Sequence, residues 1–119
     1  FLYSYSSYAG GAFDSDDIVG IYLDMDNKYV YFSINGAMQN SGDPSSGSSG
    51  TGGEALSGTS YVMGGGNYTG NIQANFGAPP FAISSGNQDA NGYGNFEYNP
   101  TYSGVNYYSL NTKNLAEFG

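Results

Sequence analysis

Val19, Ile21, Leu23 and Met25 stand at alternate positions, separated by Gly20, Tyr22 and Asp24. A period of two marks an extended strand with one buried face. The same period recurs at Val30, Phe32 and Ile34, with Tyr29, Tyr31 and Ser33 on the other side, and at Ile72, Ala74 and Phe76 against Asn71, Gln73 and Asn75. No segment sustains a helical period, and residues 114–118 hold one short turn at most. The pattern predicts an all-β fold in which Val19, Ile21, Leu23, Val30, Phe32, Ile34, Ile72, Ala74 and Phe76 share a core. Phe32→Ala in such a core costs about 3–5 kcal/mol.

Turn signals fall between these strands. Asp24-Met25-Asp26-Asn27-Lys28 separates the first two, and Asn35-Gly36 supplies the positive φ of a tight turn after the second. Residues 41–60 have the Gly/Ser composition of a flexible linker, but their place between strand patterns predicts a long surface loop. Tyr61-Val62-Met63 resumes strand character until Gly64-Gly65-Gly66 interrupts it. Gly77 and Pro79-Pro80 end the 72–76 strand, and residues 84–108 form a polar loop region. Residues 1–8, aromatic and Ser-rich, read as a further strand that Gly10-Gly11 breaks. The 119 residues fit one domain with a modest core.

Composition closes off several function classes. Ten carboxylates against Lys28 and Lys113 give a formal net charge of −8, so no basic patch for nucleic acid or an anionic membrane exists. No apolar run is long enough for a membrane span, and no basic segment followed by an apolar one marks a signal peptide. The chain opens on Phe1 rather than Met, which predicts a processed product or a piece of something longer. With no Cys there is neither a disulfide nor a thiolate metal site. With no His there is no Ser–His–Asp arrangement. The only glutamates are Glu54, Glu97 and Glu117, too scattered for the paired carboxylates of a glycosidase. The expectation is a protein that is not an enzyme and takes no cofactor.

Three stretches resemble the SPRY (B30.2-like) family. Asp17-Ile18-Val19-Gly20-Ile21-Tyr22-Leu23-Asp24-Met25-Asp26-Asn27 resembles its glycine-bearing strand running into an acidic turn. Tyr29-Val30-Tyr31-Phe32-Ser33-Ile34-Asn35-Gly36 resembles the next strand, and Ala74-Asn75-Phe76-Gly77 a late strand closing in Asn-Phe-Gly. The tail, Asn91-Gly92-Tyr93-Gly94-Asn95-Phe96-Glu97-Tyr98 with Leu110-Asn111-Thr112-Lys113-Asn114-Leu115, is similar to SPRY-like modules in virion proteins of aquatic bacteriophages. The resemblance implies an antiparallel β-sandwich of the SPRY or concanavalin-like jelly-roll type. It covers the C-terminal part, so the opening strands before Phe1 are missing. The inserts at 41–60 and 99–108 depart from the family. Its binding loops vary from member to member, so no binding residue carries over.

The candidate sites each have a plainer reading. Asp24 and Asp26 begin like a calcium loop, but Lys28 occupies the place of a third oxygen ligand; a hairpin turn bonded to its own amides is the favoured reading. Asp14, Asp16 and Asp17 make a second acidic turn. Tyr22, Tyr29 and Tyr31 lie on the polar side of their strands, where a second sheet would cover them. Tyr93, Tyr98, Tyr102 and Tyr108 lie in the late loops and are the expected ligand or assembly contacts, since loop tyrosines give large contact area with adaptable hydrogen bonding. Asn67-Tyr68-Thr69 is an N-glycosylation acceptor pattern only if a eukaryote secretes the chain.

The expected function is a non-catalytic virion surface or fibre module, extracellular or on the virion, for structural display and recognition of a host-surface glycan or protein. Its partners would be copies of itself or the rest of a longer chain. The alternatives are a subunit of a non-viral extracellular filament or surface layer, and a calcium-dependent lectin-like binder.

Overall fold

A computed structural model describes residues 14–66 and 69–118, the side chains of 116–118 excepted. The strand expected in residues 1–8 and the acceptor Asn67 lie outside the described residues. The chain divides into two compact units: one holds residues up to Ser57 with Tyr102–Val105, the other Gly58–Thr101 with Asn106–Gly119.

The first unit is an antiparallel sheet. Strand β1 (Val19–Asp24) pairs with β2 (Tyr29–Ile34) along its whole length, Tyr22 opposite Tyr31 and Gly20 opposite Ser33. Two short strands share the far side of β2: β3 (Ala37–Met38) beside Ser33 and Ile34, and β4 (Glu54–Ala55) beside Tyr29 and Val30. Among the described residues β1 pairs with no strand other than β2. The β1–β2 turn forms because an Asp24 oxygen accepts from the Asp26 and Asn27 amides at 3.0 and 2.9 Å. The β2–β3 turn places Asn35 and Gly36 at φ 49° and 79°, the left-handed pair of a two-residue hairpin. Both strand placements and the Asn-Gly turn agree with the alternation read from sequence.

The buried face is the opposite of the expected one. Tyr31 is fully buried, Tyr22 and Ser33 nearly so, while Ile21 and Leu23 are 43% and 40% exposed. The reason lies in residues 42–53. A Cβ on Gly42 would meet the Tyr31 ring at 3.4 Å, one on Gly53 would come within 2.7 Å of it, and one on Gly50 would enter the Tyr29 ring. The absence of these Cβ atoms lets the loop backbone lie against the rings. The expected long surface loop is therefore a cover for the tyrosine face, and no second sheet takes that role among the described residues.

The cover is tied down by its own polar groups. Pro44–Ser49 forms two short 3-10 turns meeting at Gly47, begun by Asp43, whose carboxylate accepts from the Ser45 amide at 2.9 Å and the Ser45 hydroxyl at 2.5 Å. The Ser46 hydroxyl donates to the Asp43 carbonyl at 2.6 Å and accepts from the Thr51 amide at 2.9 Å. Asp43 N–H bonds the Thr51 carbonyl, and Leu56 N–H the Lys28 carbonyl, closing the loop onto the sheet.

Among its described residues the second unit has little regular structure: a single bridge joins Asn87 to Phe96, and helix α1 (Thr112–Phe118) follows Asn111. The expected strand at 72–76 does not form. Asn75 turns its side-chain oxygen onto the Gly77 amide at 2.8 Å and its amide onto the Asn95 carbonyl at 2.8 Å, and Gly77 takes φ 121°. Local side-chain bonding of this kind competes with a strand ladder. Ile72 and Phe76 are accordingly exposed, not in a core.

Two outcomes are expected. Gly50→Ala combines a left-handed φ of 58° with a collision against Tyr29, and lowers stability by at least about 1–2 kcal/mol, while Ser48→Ala in the same loop stays within about 0.5 kcal/mol. Tyr31→Phe removes a buried hydroxyl that has no partner among the described residues, and leaves the melting temperature unchanged or raised. Urea titrations of the three variants check both.

Candidate functional site

The densest polar arrangement is centred on Asp89, which is 5% exposed. One carboxylate oxygen accepts from the Asn91 and Tyr93 amides at 3.0 and 2.9 Å. The other accepts from the Ser109 amide at 2.9 Å, the Ser109 hydroxyl at 2.5 Å and the Asn114 side-chain amide at 2.7 Å. Asn114, itself buried, accepts in turn from the Asn91 side chain at 2.9 Å. Five donors converge on one carboxylate from three stretches of chain. The two pieces of the tail pattern, 91–98 and 110–115, meet here: Asp89 and Asn91 hold the turn, Asn114 the helix.

Asn111 starts that helix. Its side-chain oxygen accepts from the Lys113 and Asn114 amides at 2.9 and 3.2 Å. Its amide donates to the Ser109 hydroxyl at 2.5 Å. Lys113 then extends over the Tyr93 ring, its ammonium 5.5 Å from the centroid.

Burial pushes the Asp89 carboxyl up, but the bonds from the Ser109 hydroxyl and amide, from Asn114 and from the Tyr93 amide more than offset it, and it sits well below the usual carboxylate range. Glu97 is half-buried and shows the same cause: the Ser84 hydroxyl and amide with the Ser85 hydroxyl bring it from 4.5 to about 2. A carboxylate held so firmly ionised accepts hydrogen bonds well and takes up protons poorly, which suits a structural tie better than a general base.

The four loop tyrosines are placed differently from one another. Tyr93 is half-buried beneath Lys113, and Tyr108 is 43% exposed one residue before Ser109. Tyr98 is 38% exposed. Tyr102 is half-buried in a tight hairpin with Val105 and belongs to the other unit. Sequence reasoning missed Asp89, Ser109 and Asn114. Asn111 ahead of Thr112-Lys113-Asn114-Leu115 was the available signal, since Asn is a favoured residue at a helix start.

At the acidic turns, both Asp24 oxygens point into their own hairpin, the second accepting from the Asn27 side chain at 2.8 Å. Asp17 accepts from the Asp14 amide at 2.7 Å and the Asn35 side chain at 2.6 Å, bonds that lower its carboxyl. Among the described residues no three carboxylates gather as for a metal ion.

Asp89→Asn turns an amide toward bound donors and lowers stability by about 2–4 kcal/mol, read from urea midpoints. Asp89 and Glu97 both have folded-state pKa values below their unfolded ones. Their contribution is therefore complete above about pH 5 and declines as pH falls, that of Glu97 running out near pH 2. Stability measured between pH 7 and 2 falls along that window, less steeply in Glu97→Gln. No family model, curated protein or solved structure matches the chain.

Proposed function

We propose that the chain is a non-catalytic structural module of a virion surface or fibre protein, its sheet being one layer of a SPRY-like β-sandwich. The rest of a longer chain or neighbouring copies complete that sandwich. One observation carries this reading: the aliphatic face of β1 and β2 has Ile21 and Leu23 some two-fifths exposed, beside half-buried Val19, Val30, Phe32 and Ile34. Contiguous apolar surface of this kind marks a face that is covered in the working assembly. The SPRY resemblance of residues 17–36 and the virion-protein resemblance of the tail favour a virion module over the filament subunit that is the alternative.

The acidic, nearly cation-free composition supports a role in display rather than polyanion binding. Asp24, Asp43, Asp89 and Glu97 all direct oxygens to nearby amides or hydroxyls, which supports a non-catalytic reading. Recognition of a host-surface partner would fall to the second unit, where Tyr98 and Tyr108 are exposed.

Sedimentation of the 119-residue chain is expected to show reversible self-association together with strong binding of a hydrophobic dye. Ile21→Lys with Leu23→Lys should abolish both while keeping the far-UV circular dichroism. A dye-silent monomer melting cooperatively above about 60 °C overturns the reading.

A further inference from the structure

Two asparagines of the chain stand directly before a glycine, Asn35 and Asn91, and both pairs are exposed. An Asn-Gly pair is open to a reaction of the chain with itself, because glycine has no Cβ to hinder its nitrogen. That nitrogen gives its proton to solvent base and bonds to the asparagine Cγ. The Cγ–Nδ2 bond breaks, and the side-chain nitrogen leaves as ammonia. Water then opens the five-membered imide to aspartate or isoaspartate. Only water is consumed, and nothing is oxidised or reduced.

The glycine backbone does not separate the two pairs, since Gly36 has φ 79° and Gly92 φ 77°. Their hydrogen bonds do. The Gly92 N–H donates to the Asp89 carbonyl at 2.9 Å, and the Asn91 side-chain amide donates to the buried Asn114 at 2.9 Å. Ring closure at Asn91 must give up both bonds, inside the network that Asp89 gathers. The Gly36 N–H meets no acceptor among the described residues. The Asn35 side-chain oxygen accepts from the Ile18 N–H at 3.0 Å, which draws electrons from the carbon under attack. The side-chain nitrogen that must leave is held by one bond, to Asp17 at 2.6 Å, and that bond is exposed to water.

The product differs from the asparagine in one respect that matters here. A carboxylate at position 35 would face the Asp17 carboxylate where an amide donated before, and like charges that close repel. The Asp17–Asn35 bond joins the segment leading into β1 to the β2–β3 turn, so the change falls on the end of the sheet.

We propose that Asn35 is a modification site: it deamidates spontaneously in the folded chain while Asn91 is spared, and the change cuts the tie between Asp17 and the β2–β3 turn. No part of this depends on what the chain assembles with.

The test is peptide mapping by mass spectrometry of the full chain after incubation in warm, mildly alkaline buffer. Conversion at Asn35 is expected to run about tenfold faster than at Asn91, the rate equivalent of one hydrogen bond. In concentrated urea, where the fold no longer acts, the two rates should become comparable. Asn35→Asp should lower the urea midpoint. Adding Asp17→Asn, which again sets one amide against one carboxylate, should recover most of that loss.

Conversion at Asn91 as fast as at Asn35 in the folded chain overturns the proposal, and so does a preference for Asn35 that persists in urea, because the fold then does not select the site. Conversion of both asparagines in urea and of neither in the folded chain overturns it in favour of a turn that shields Asn35. An Asn35→Asp variant as stable as the wild type overturns the loss of the tie.

Discussion

A short polar side chain bonded to backbone a few residues away recurs at the bends of this chain. Asp24 does it between β1 and β2, Asp43 at the start of the glycine-rich cover, Asn75 before Gly77, Asp89 at its turn and Asn111 at the helix. The need follows from how little regular structure there is. A backbone N–H outside a ladder or helix still requires an acceptor, and a carboxylate or amide two or three residues away is the nearest one. The acidity of the chain is in this sense partly architectural: Asp17, Asp24, Asp43 and Asp89 serve as acceptors for amides that no strand engages. Asp89 is the strongest case, since it joins residues far apart in sequence.

The second constraint is the fit of tyrosine rings to bare backbone. Tyr29 and Tyr31, their centroids 6.4 Å apart, lie under a loop whose glycines could not carry a side chain at the points of contact. A ring brings more area than a valine or isoleucine and takes a flat surface well. This explains why the tyrosine side of the sheet is the covered one, although alternation alone favours the aliphatic side. The Tyr31 hydroxyl is caught in this packing. Burial pushes it up from its ordinary value, and the neighbouring Ser46 hydroxyl is engaged with Asp43 and Thr51.

Strands β1 and β2 were legible because alternation and turn residues agree there at every position. The face was not legible, because a period of two says that the sides differ and not which one is buried. Residues 72–76 alternate as cleanly, but alternation needs a partner strand, and Asn75 closes a local turn instead. The loop tyrosines were singled out by composition, which says nothing of where each one points. Asp89 stayed hidden for the opposite reason: one aspartate in a polar stretch carries no pattern, and its role depends on Ser109 and Asn114, twenty or more residues away.

The glycine-rich cover has a consequence for how this chain can change over generations. Its repetitive composition suggests a segment where substitutions accumulate freely. Gly50 and Gly53 lie directly against tyrosine rings and Gly52 against the backbone of Gly42, whereas Ser48 and Ser49 face water. Among descendants of such a sequence, the serines would drift while those glycines and the two tyrosines were inherited together. Selection would then act most strongly on the stretch of the chain with the simplest composition.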